Sequence, residues 1–383
     1  MTLYTSAHED FRHTVRQFVE REVMPFVTDW DELAERGEYF PRDLYRKAAD
    51  IGLLAIGYPE TYGGIEADSL YRVIATQEIA RAGSGGLMAS LFSHGIGLPP
   101  VLAQGSESLK QRIIPDVLSG RKIAALAITE PGGGSDVAAV RTTARLEGKE
   151  WVINGEKVFI TSGLRADWLT VAVRTGGPGA GGLSLIAVPG DAPGLSRTPL
   201  RKMGWWASDT AHLRFDECRV PYDHLIGEEG SGFRAIMTNF NAERLTLAVG
   251  AWAFAQVCYE DALDWARQRQ TFGAPLVERQ VIRHKLVDMQ MKIASCQPWL
   301  EQLALRLDAG DHSQRTVAEL CMLKNHATQT MQFCADQGVQ ILGGMGFMRG
   351  TRVERIYREV KVMMIGGGAE EIMKELAARQ LGI

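Results

Sequence analysis

Apolar residues recur at helical spacing over the first third of the chain. Phe11, Val15, Phe18, Val19 and Val23 form one stripe, and Leu44, Ala48 and Ile51 repeat it. Ser106 is placed to cap a helix running through Leu109, Ile113 and Val117, which Gly120 would end. From about residue 121 the period shortens. Lys122–Ile128 is a short apolar run, and Trp151–Ile160 alternates around Asn154-Gly155, the dipeptide that signals a tight hairpin. Trp168–Val173, Leu183–Val188 and Ala211–Phe215 read as further strands, with Gly176–Gly182 as a flexible loop. No helical crossover separates them, so a parallel sheet is not expected. After Gly230 the helical period returns over 232–268, 276–308 and 313–341, with a shorter helix after Ala369. Long helices with short connections imply an antiparallel bundle. The predicted class is mainly α with a central β domain: N-terminal helices over 1–120, a β domain over 121–230 and a helical bundle over 231–383.

Composition narrows the function classes. A chain of 383 residues exceeds one ordinary core and implies two or three domains. A net charge of -4 lacks the basic footprint of a nucleic-acid binder. No stretch approaches the ~20 apolar residues that cross a bilayer. The first residues lack the basic head and apolar run of a secretory signal, so a cytoplasmic protein is the expectation. The cysteines Cys218, Cys258, Cys296, Cys321 and Cys334 are odd in number and widely spaced, which reads as buried free thiols. The histidines form no HExxH pair, and no metal site is expected.

Five segments carry candidate chemistry. Leu126-Ala-Ile-Thr-Glu-Pro-Gly-Gly-Gly-Ser-Asp136 contains a Pro-Gly turn whose exposed N–H groups, Thr129 and Ser135 can serve a polar planar ligand. Phe159-Ile160-Thr161-Ser162-Gly163, taken to close the hairpin, sets an aromatic beside a hydroxyl. Arg267–Gly273, followed by Glu278-Arg279-Gln280, offers a guanidinium fork suited to a pyrophosphate. Gln340-Ile-Leu-Gly-Gly-Met-Gly-Phe347 has no strand–turn–helix context, so it is not a Rossmann phosphate loop. The last segment is the triglycine Gly366–Gly368, followed by Ala369, Glu370 and Glu371. Each alone has a plain structural reading as a turn, a core aromatic or a solvated helix end.

Taken together, in this order and spacing, the five segments resemble the flavin-dependent acyl-CoA dehydrogenases over the whole chain. The resemblance implies an N-terminal α domain, a middle β-barrel-like domain and a C-terminal four-helix bundle. It implies FAD bound between the β domain and the bundle, and a tetramer built as a dimer of dimers. By motif, Leu126, Ile128, Thr129, Gly134 and Ser135 would line the flavin, with Ser135 also near the thioester. Phe159, Ile160 and Thr161 would pack on the isoalloxazine ring. Arg269, Thr271, Phe272 and Gln280, with Gln340, Gly343 and Gly344, would reach the FAD of a neighbouring subunit. Ala369 and Glu371 would also belong to the cofactor site, and Asn241, Arg244 and Gly368 to the substrate site. The implied reaction is α,β-dehydrogenation of an acyl-CoA in fatty-acid metabolism, with an electron-transfer flavoprotein as electron acceptor.

One position departs from the common pattern. Many members of that family carry the proton-abstracting glutamate where this chain has Gly367. The backbone N–H that helps polarise the thioester carbonyl survives the substitution, but the base does not. Members similar to isovaleryl-CoA and long-chain acyl-CoA dehydrogenases carry a helix-borne glutamate instead, and Asn241-Ala-Glu-Arg-Leu245 offers Glu243 in that context. A carboxyl buried beside an acyl chain would have its pKa raised, which suits proton abstraction near neutrality. Glu370 and Glu371 read as first-turn helix residues that complement the helix dipole. Trp206, where the family has a polar residue, reads as packing. Rival readings are an oxidase of the same fold that reduces oxygen, a non-catalytic FAD-containing acyl-binding homologue, and an enzyme acting on carrier-bound acyl groups. The helix-borne base suggests, by resemblance, a branched or medium-to-long acyl chain.

Overall fold

A computed structural model describes residues 3–383. The helix Ser6–Phe18 starts at Thr5, whose hydroxyl accepts from the His8 N–H while the His8 ring accepts from the Thr5 N–H. Ser106 caps Glu107–Leu118 as its position predicted, accepting from Leu109 N at 3.3 Å, and Gly120 follows in the left-handed region. The helix Ser69–Ala80 lies against both the first helix and the long helix Gly232–Gln268, so its buried residues extend around much of its surface.

The middle of the chain folds into eight strands: β1 (Ala124–Ala127), β2 (Thr143–Glu147), β3 (Glu150–Ile160), β4 (Trp168–Arg174), β5 (Leu183–Pro189), β6 (Leu195–Pro199), β7 (Ala211–Pro221) and β8 (Leu225–Ile226). They pair in the order β6-β7-β3-β2-β4-β5-β8, with β1 beside β4. No pairing joins β6 to β8 among the described residues, so the sheet stays open instead of closing into a barrel. Most pairs are antiparallel. The exceptions are β1 with β4, in register from Ala124↔Trp168 to Ala127↔Val171, and the single Thr143↔Arg174 pairing of β2 with β4. β4 is apolar on both faces because Leu169, Val171 and Val173 enter the core of the sheet while Trp168 and Ala172 face the core shared with helix residues Ile113, Val117 and Ile236.

The hairpin expected at Asn154-Gly155 is not there. β3 runs straight through both residues, and the turn lies earlier, at Gly148, between Glu147 and Glu150. Gly155 instead sits at a register shift against β7, with φ 143°. A Cβ there would come 2.6 Å from Thr142 Oγ1, so the glycine admits a close strand approach. The motif at Phe159 therefore ends a long strand and closes no hairpin.

The C-terminal part contains Gly232–Gln268, Gln280–Asp308, Gln314–Leu342, Arg352–Ile365 and Glu370–Leu381. The helix Arg352–Ile365 was not anticipated, although Val353, Ile356, Val360 and Met363 repeat at helical spacing. It and the final helix both lie against Gln314–Leu342, separated by the triglycine, so the bundle's last member is a broken helix. A buried polar junction ties the three parts together. Asp31 accepts from Arg355 at 2.7 Å and from the Ala207 N–H at 3.2 Å, and Glu359 accepts from the N–H groups of Gly85 and Trp205. All five cysteines are free and buried. No single helix among the described residues is long and apolar enough to cross a membrane.

Candidate active site

The first two motifs are brought together by the sheet. β1 delivers Leu126 to the turn, and the Val158 N–H donates to Thr129 O at 2.8 Å, fixing that turn beside the end of β3. Below them Lys157, fully buried, donates to Ile128 O at 3.0 Å and to Glu130 Oε1 at 2.8 Å. Glu130 also accepts the N–H groups of Arg141 and Thr142. Burial pulls the Lys157 ammonium down to about 8 against the pull of Glu130. The result is a braced turn in which Ile128 is buried, Leu126 and Thr129 half-buried, and Gly134 and Ser135 exposed. Ile160 is buried and Thr161 half-buried, but Phe159 is 68% exposed with φ 61°. A left-handed, solvent-facing phenylalanine at a strand end is an uncommon arrangement, and backbone strain of this kind gathers at ligand sites.

Glu243 projects from the long helix toward the triglycine. A Cβ built on Gly367 would lie 3.7 Å from Glu243 Oε1. The helix carboxylate thus occupies the neighbourhood that a loop side chain would enter. Gly367 has φ 65° and Gly368 φ 106°, so both need glycine's freedom. A Cβ at Gly367 would also meet Leu247 Cδ1 at 2.2 Å, one helical turn beyond Glu243. No protein acceptor takes the Gly367 N–H among the described residues. Glu243 is half-buried as a residue, yet its Oε2 is sealed from solvent with no hydrogen-bond partner. Burial pushes its carboxyl up to about 7, opposed by the charges of Arg244 and Lys324. Arg244 does not pair with it, because Nη1 donates to Asn241 Oδ1 at 3.1 Å.

Other expected residues lie elsewhere. Arg269, Phe272 and Gln280 are exposed and Thr271 half-buried on a small hairpin and the helix start after it, while Gln340, Gly343 and Gly344 are exposed at the far end of Gln314–Leu342. The Lys285–Gln337 contact at 2.5 Å draws these helix ends together. No hydrogen bond joins either group to the Thr129 turn or the Phe159 segment among the described residues. Ala369 caps the final helix, Glu371 is exposed in its first turn, and Glu370 is taken by Lys374 and Gln329. Trp206 packs between the guanidinium groups of Arg349 and Arg358, 4.5 and 3.7 Å from its ring centroid. A cavity of about 210 Å³ adjoins Asn241 and Ala242, but neither Glu243 nor the triglycine lines it.

Three residues escaped the sequence reading: Lys157, Leu247 and Lys324. For the lysines the signal was slight, since each only adjoins an apolar run, Val158–Ile160 after Lys157 and Leu320–Leu323 before Lys324. Leu247 gave none, because its importance depends on what faces it.

Known proteins fix the class. The acyl-CoA dehydrogenase N-terminal, middle and C-terminal domain models match residues 5–121, 125–218 and 230–382. The chain belongs to the acyl-CoA dehydrogenase family. It is similar to a probable acyl-CoA dehydrogenase from Mycobacterium abscessus, at 45% identity and a TM-score of 0.96, with 100% of each chain covered. It is 35% identical to the long-chain specific acyl-CoA dehydrogenase of Rattus norvegicus over 99% of this chain and 87% of that one. A glutaryl-CoA dehydrogenase from Mycobacterium smegmatis in complex with FADH2 superposes with a TM-score of 0.92 at 25% identity, covering 99% of this chain and 95% of that one.

Proposed function

We propose that this chain dehydrogenates an acyl thioester between its α and β carbons, with Glu243 removing the α proton. The observation that carries this reading is the sealed, unpartnered Glu243 Oε2 beside a loop whose residue 367 has no side chain. A carboxyl with no internal partner, pushed up to about 7 by burial, is suited both to losing and to taking up a proton near neutrality. The free Gly367 N–H is the donor for the thioester carbonyl, which must be polarised while the α C–H bond breaks. Leu247, one turn along the helix, sets an apolar side chain against Gly367 beside the carboxylate.

The residues present fit FAD. The braced turn exposes the backbone of Gly132–Ser135, with open space above Gly132, and Phe159 presents a bare aromatic face beside it. Leu126, Ile128, Thr129, Gly134, Ser135, Phe159, Ile160 and Thr161 would hold the flavin end. When bound, FAD supplies the acceptor for the hydride that leaves the β carbon. Arg269, Thr271, Phe272, Gln280, Gln340, Gly343 and Gly344 would complete the cofactor site of a neighbouring subunit, with Ala369 and Glu371 at its edge. Phe272 is 100% exposed in a left-handed conformation, which suits a side chain awaiting a second copy. Asn241, Arg244, Ser135 and Gly368 would contact the thioester. In this reading 1–120, 121–230 and 231–383 are the three domains, the assembly is a dimer of dimers, and an electron-transfer flavoprotein takes the electrons.

The test is Glu243→Gln in the FAD-loaded protein. Flavin content stays unchanged and anaerobic bleaching by acyl-CoA slows by about 10²–10⁴-fold. Bleaching at the wild-type rate would remove Glu243 from the reaction.

A further inference from the structure

Lys324 sits at the heart of the bundle on Gln314–Leu342, in a stripe with Leu320, Leu323, Ala327 and Met331 that has no solvent exposure. Apolar neighbours on every turn make this an unfavourable place for a cation unless its protons are used. Its hydrogen bonds go to main-chain carbonyls only: Met364 O at 3.0 Å and Gly368 O at 2.8 Å. One carbonyl belongs to the last turn of Arg352–Ile365 and the other lies just past Gly367. The ammonium therefore ties down the backbone on both sides of Gly367. The neighbouring Asn325 continues the anchorage, donating to Glu370 O at 2.9 Å.

The charge of Lys324 faces the same gap. Glu243 meets Arg244 from its own helix and Lys324 from the facing helix, while the triglycine contributes no titratable group. Glu370, on the final helix, and Cys321, one turn before Lys324, are the other titratable groups in the surroundings of this ammonium. The Glu370 carboxylate is already committed to Lys374 and Gln329, and burial pushes the Cys321 thiol up, leaving it neutral. Arg244 is occupied by Asn241 and stacks over Phe240. The Lys324 ammonium, held by two carbonyls, thus faces the charges of Glu370 and Glu243, and the Glu243 carboxyl faces those of Arg244 and Lys324 without a hydrogen bond to either.

From this geometry we infer that Lys324 is a positioning residue for the proposed proton transfer, holding the carbonyl-donor loop from both ends and biasing Glu243 toward its ionised form. The inference rests on the reading of Glu243 as the base. Burial pulls Lys324 down and pushes Glu243 up, while each group's charge opposes the shift of the other. In the reaction the substrate α C–H bond breaks and an O–H bond forms on Glu243. Lys324 exchanges no proton, so its contribution is electrostatic and geometric.

Two variants of the FAD-loaded protein separate charge from staple. Lys324→Gln keeps two N–H donors and removes the charge; Lys324→Arg keeps the charge on a larger, planar head. Two readouts are followed against pH: the carboxyl infrared signal that Glu243→Gln abolishes, and anaerobic flavin bleaching at limiting acyl-CoA. In Lys324→Gln both titrations move toward alkaline pH by about one unit, because loss of a nearby opposite charge raises a carboxyl pKa by about that much. In Lys324→Arg both stay at their wild-type positions. An unmoved carboxyl titration in Lys324→Gln overturns the inference, as does an equal alkaline shift in Lys324→Arg. Should Lys324→Gln not fold, Lys324→Met, which also removes the charge, is read in its place by the same two titrations and the same criterion. The infrared signal reads the coupling whether or not Glu243 is the base, so wild-type bleaching in Glu243→Gln would sink the function reading and leave this coupling standing on its own measurement.

Discussion

Glu243 and Glu359 are both carboxylates drawn away from water in the C-terminal helices, and burial pushes both upward, to about 7 and about 8. Their surroundings differ. Glu359 sits at the three-part junction, where its oxygens accept from Gly85 N at 2.6 Å and Trp205 N at 3.0 Å, with Arg355 and Arg358 nearby and Asp31 repelling it. Glu243 has a sealed oxygen with no partner, beside a loop stripped of its side chain. A raised pKa by itself therefore does not separate architecture from chemistry. Hydrogen-bond satisfaction does: the first carboxylate spends its acceptors on the fold, and the second keeps one for a proton that the chain does not supply.

The sharpest way to break this contrast is to make the same substitution twice. Glu243→Gln is expected to lose the reductive reaction by the margin given above while melting at or above the wild-type temperature. Glu359→Gln is expected to do the reverse. An amide cannot accept two backbone N–H groups as a carboxylate does, so one buried donor is orphaned and stability falls by about 1–3 kcal/mol, while bleaching per bound flavin stays near wild type. Denaturant unfolding and stopped-flow bleaching on both variants read the two effects separately.

Gly367→Ala comes next in size. The new Cβ would sit in a left-handed backbone and 2.2 Å from Leu247 Cδ1, so stability should drop by about 1–3 kcal/mol and bleaching should slow as the donor loop shifts. Adding Leu247→Ala removes the collision but not the backbone strain, and should restore part of the loss. Full restoration in the double variant would show that contact alone, with no strain, makes glycine necessary.

The smallest effects are in pH dependence. As the proposed base Glu243 would act in its ionised form, so bleaching at limiting substrate should rise as pH climbs through about 7 and level off above it. The sign for stability is opposite. A carboxyl with a raised folded pKa binds a proton in the folded state that the unfolded chain releases. Stability should therefore decline from the ordinary carboxylate range up to about 7 for Glu243 and about 8 for Glu359. Glu243→Gln should lessen the slope only below about 7 and Glu359→Gln over the whole span, as measured by melting temperature from pH 5 to 9.

How much of this was legible varies by region. The three-part organisation could be read because hydrophobic period is a local property: β4 and β5 are short and mostly apolar, and the long helices show their stripes. Asn154-Gly155 misled because a turn dipeptide describes what a backbone tolerates, and here the same freedom serves a register shift against β7 and a close approach to Thr142. Helix Arg352–Ile365 went unread although its period was present. Glu243 could be singled out only through the missing side chain at residue 367, a contrast against a family pattern and not a property of the segment.

Order along the chain, by itself, determined the class of fold, the motifs offered to a flavin and the two positions between which a base could be exchanged. Tertiary structure alone decided which carboxylate was left without a partner, that Lys324 bridges the triglycine, and that Leu247 fills the space beside Gly367. The reason is physical. Periodicity and turn chemistry depend on residues a few positions apart, whereas desolvation and hydrogen-bond satisfaction depend on groups that meet only after elements distant along the chain have packed together, 40 and 44 residues apart for Lys324 with Met364 and Gly368 and farther still for Glu243 with Gly367.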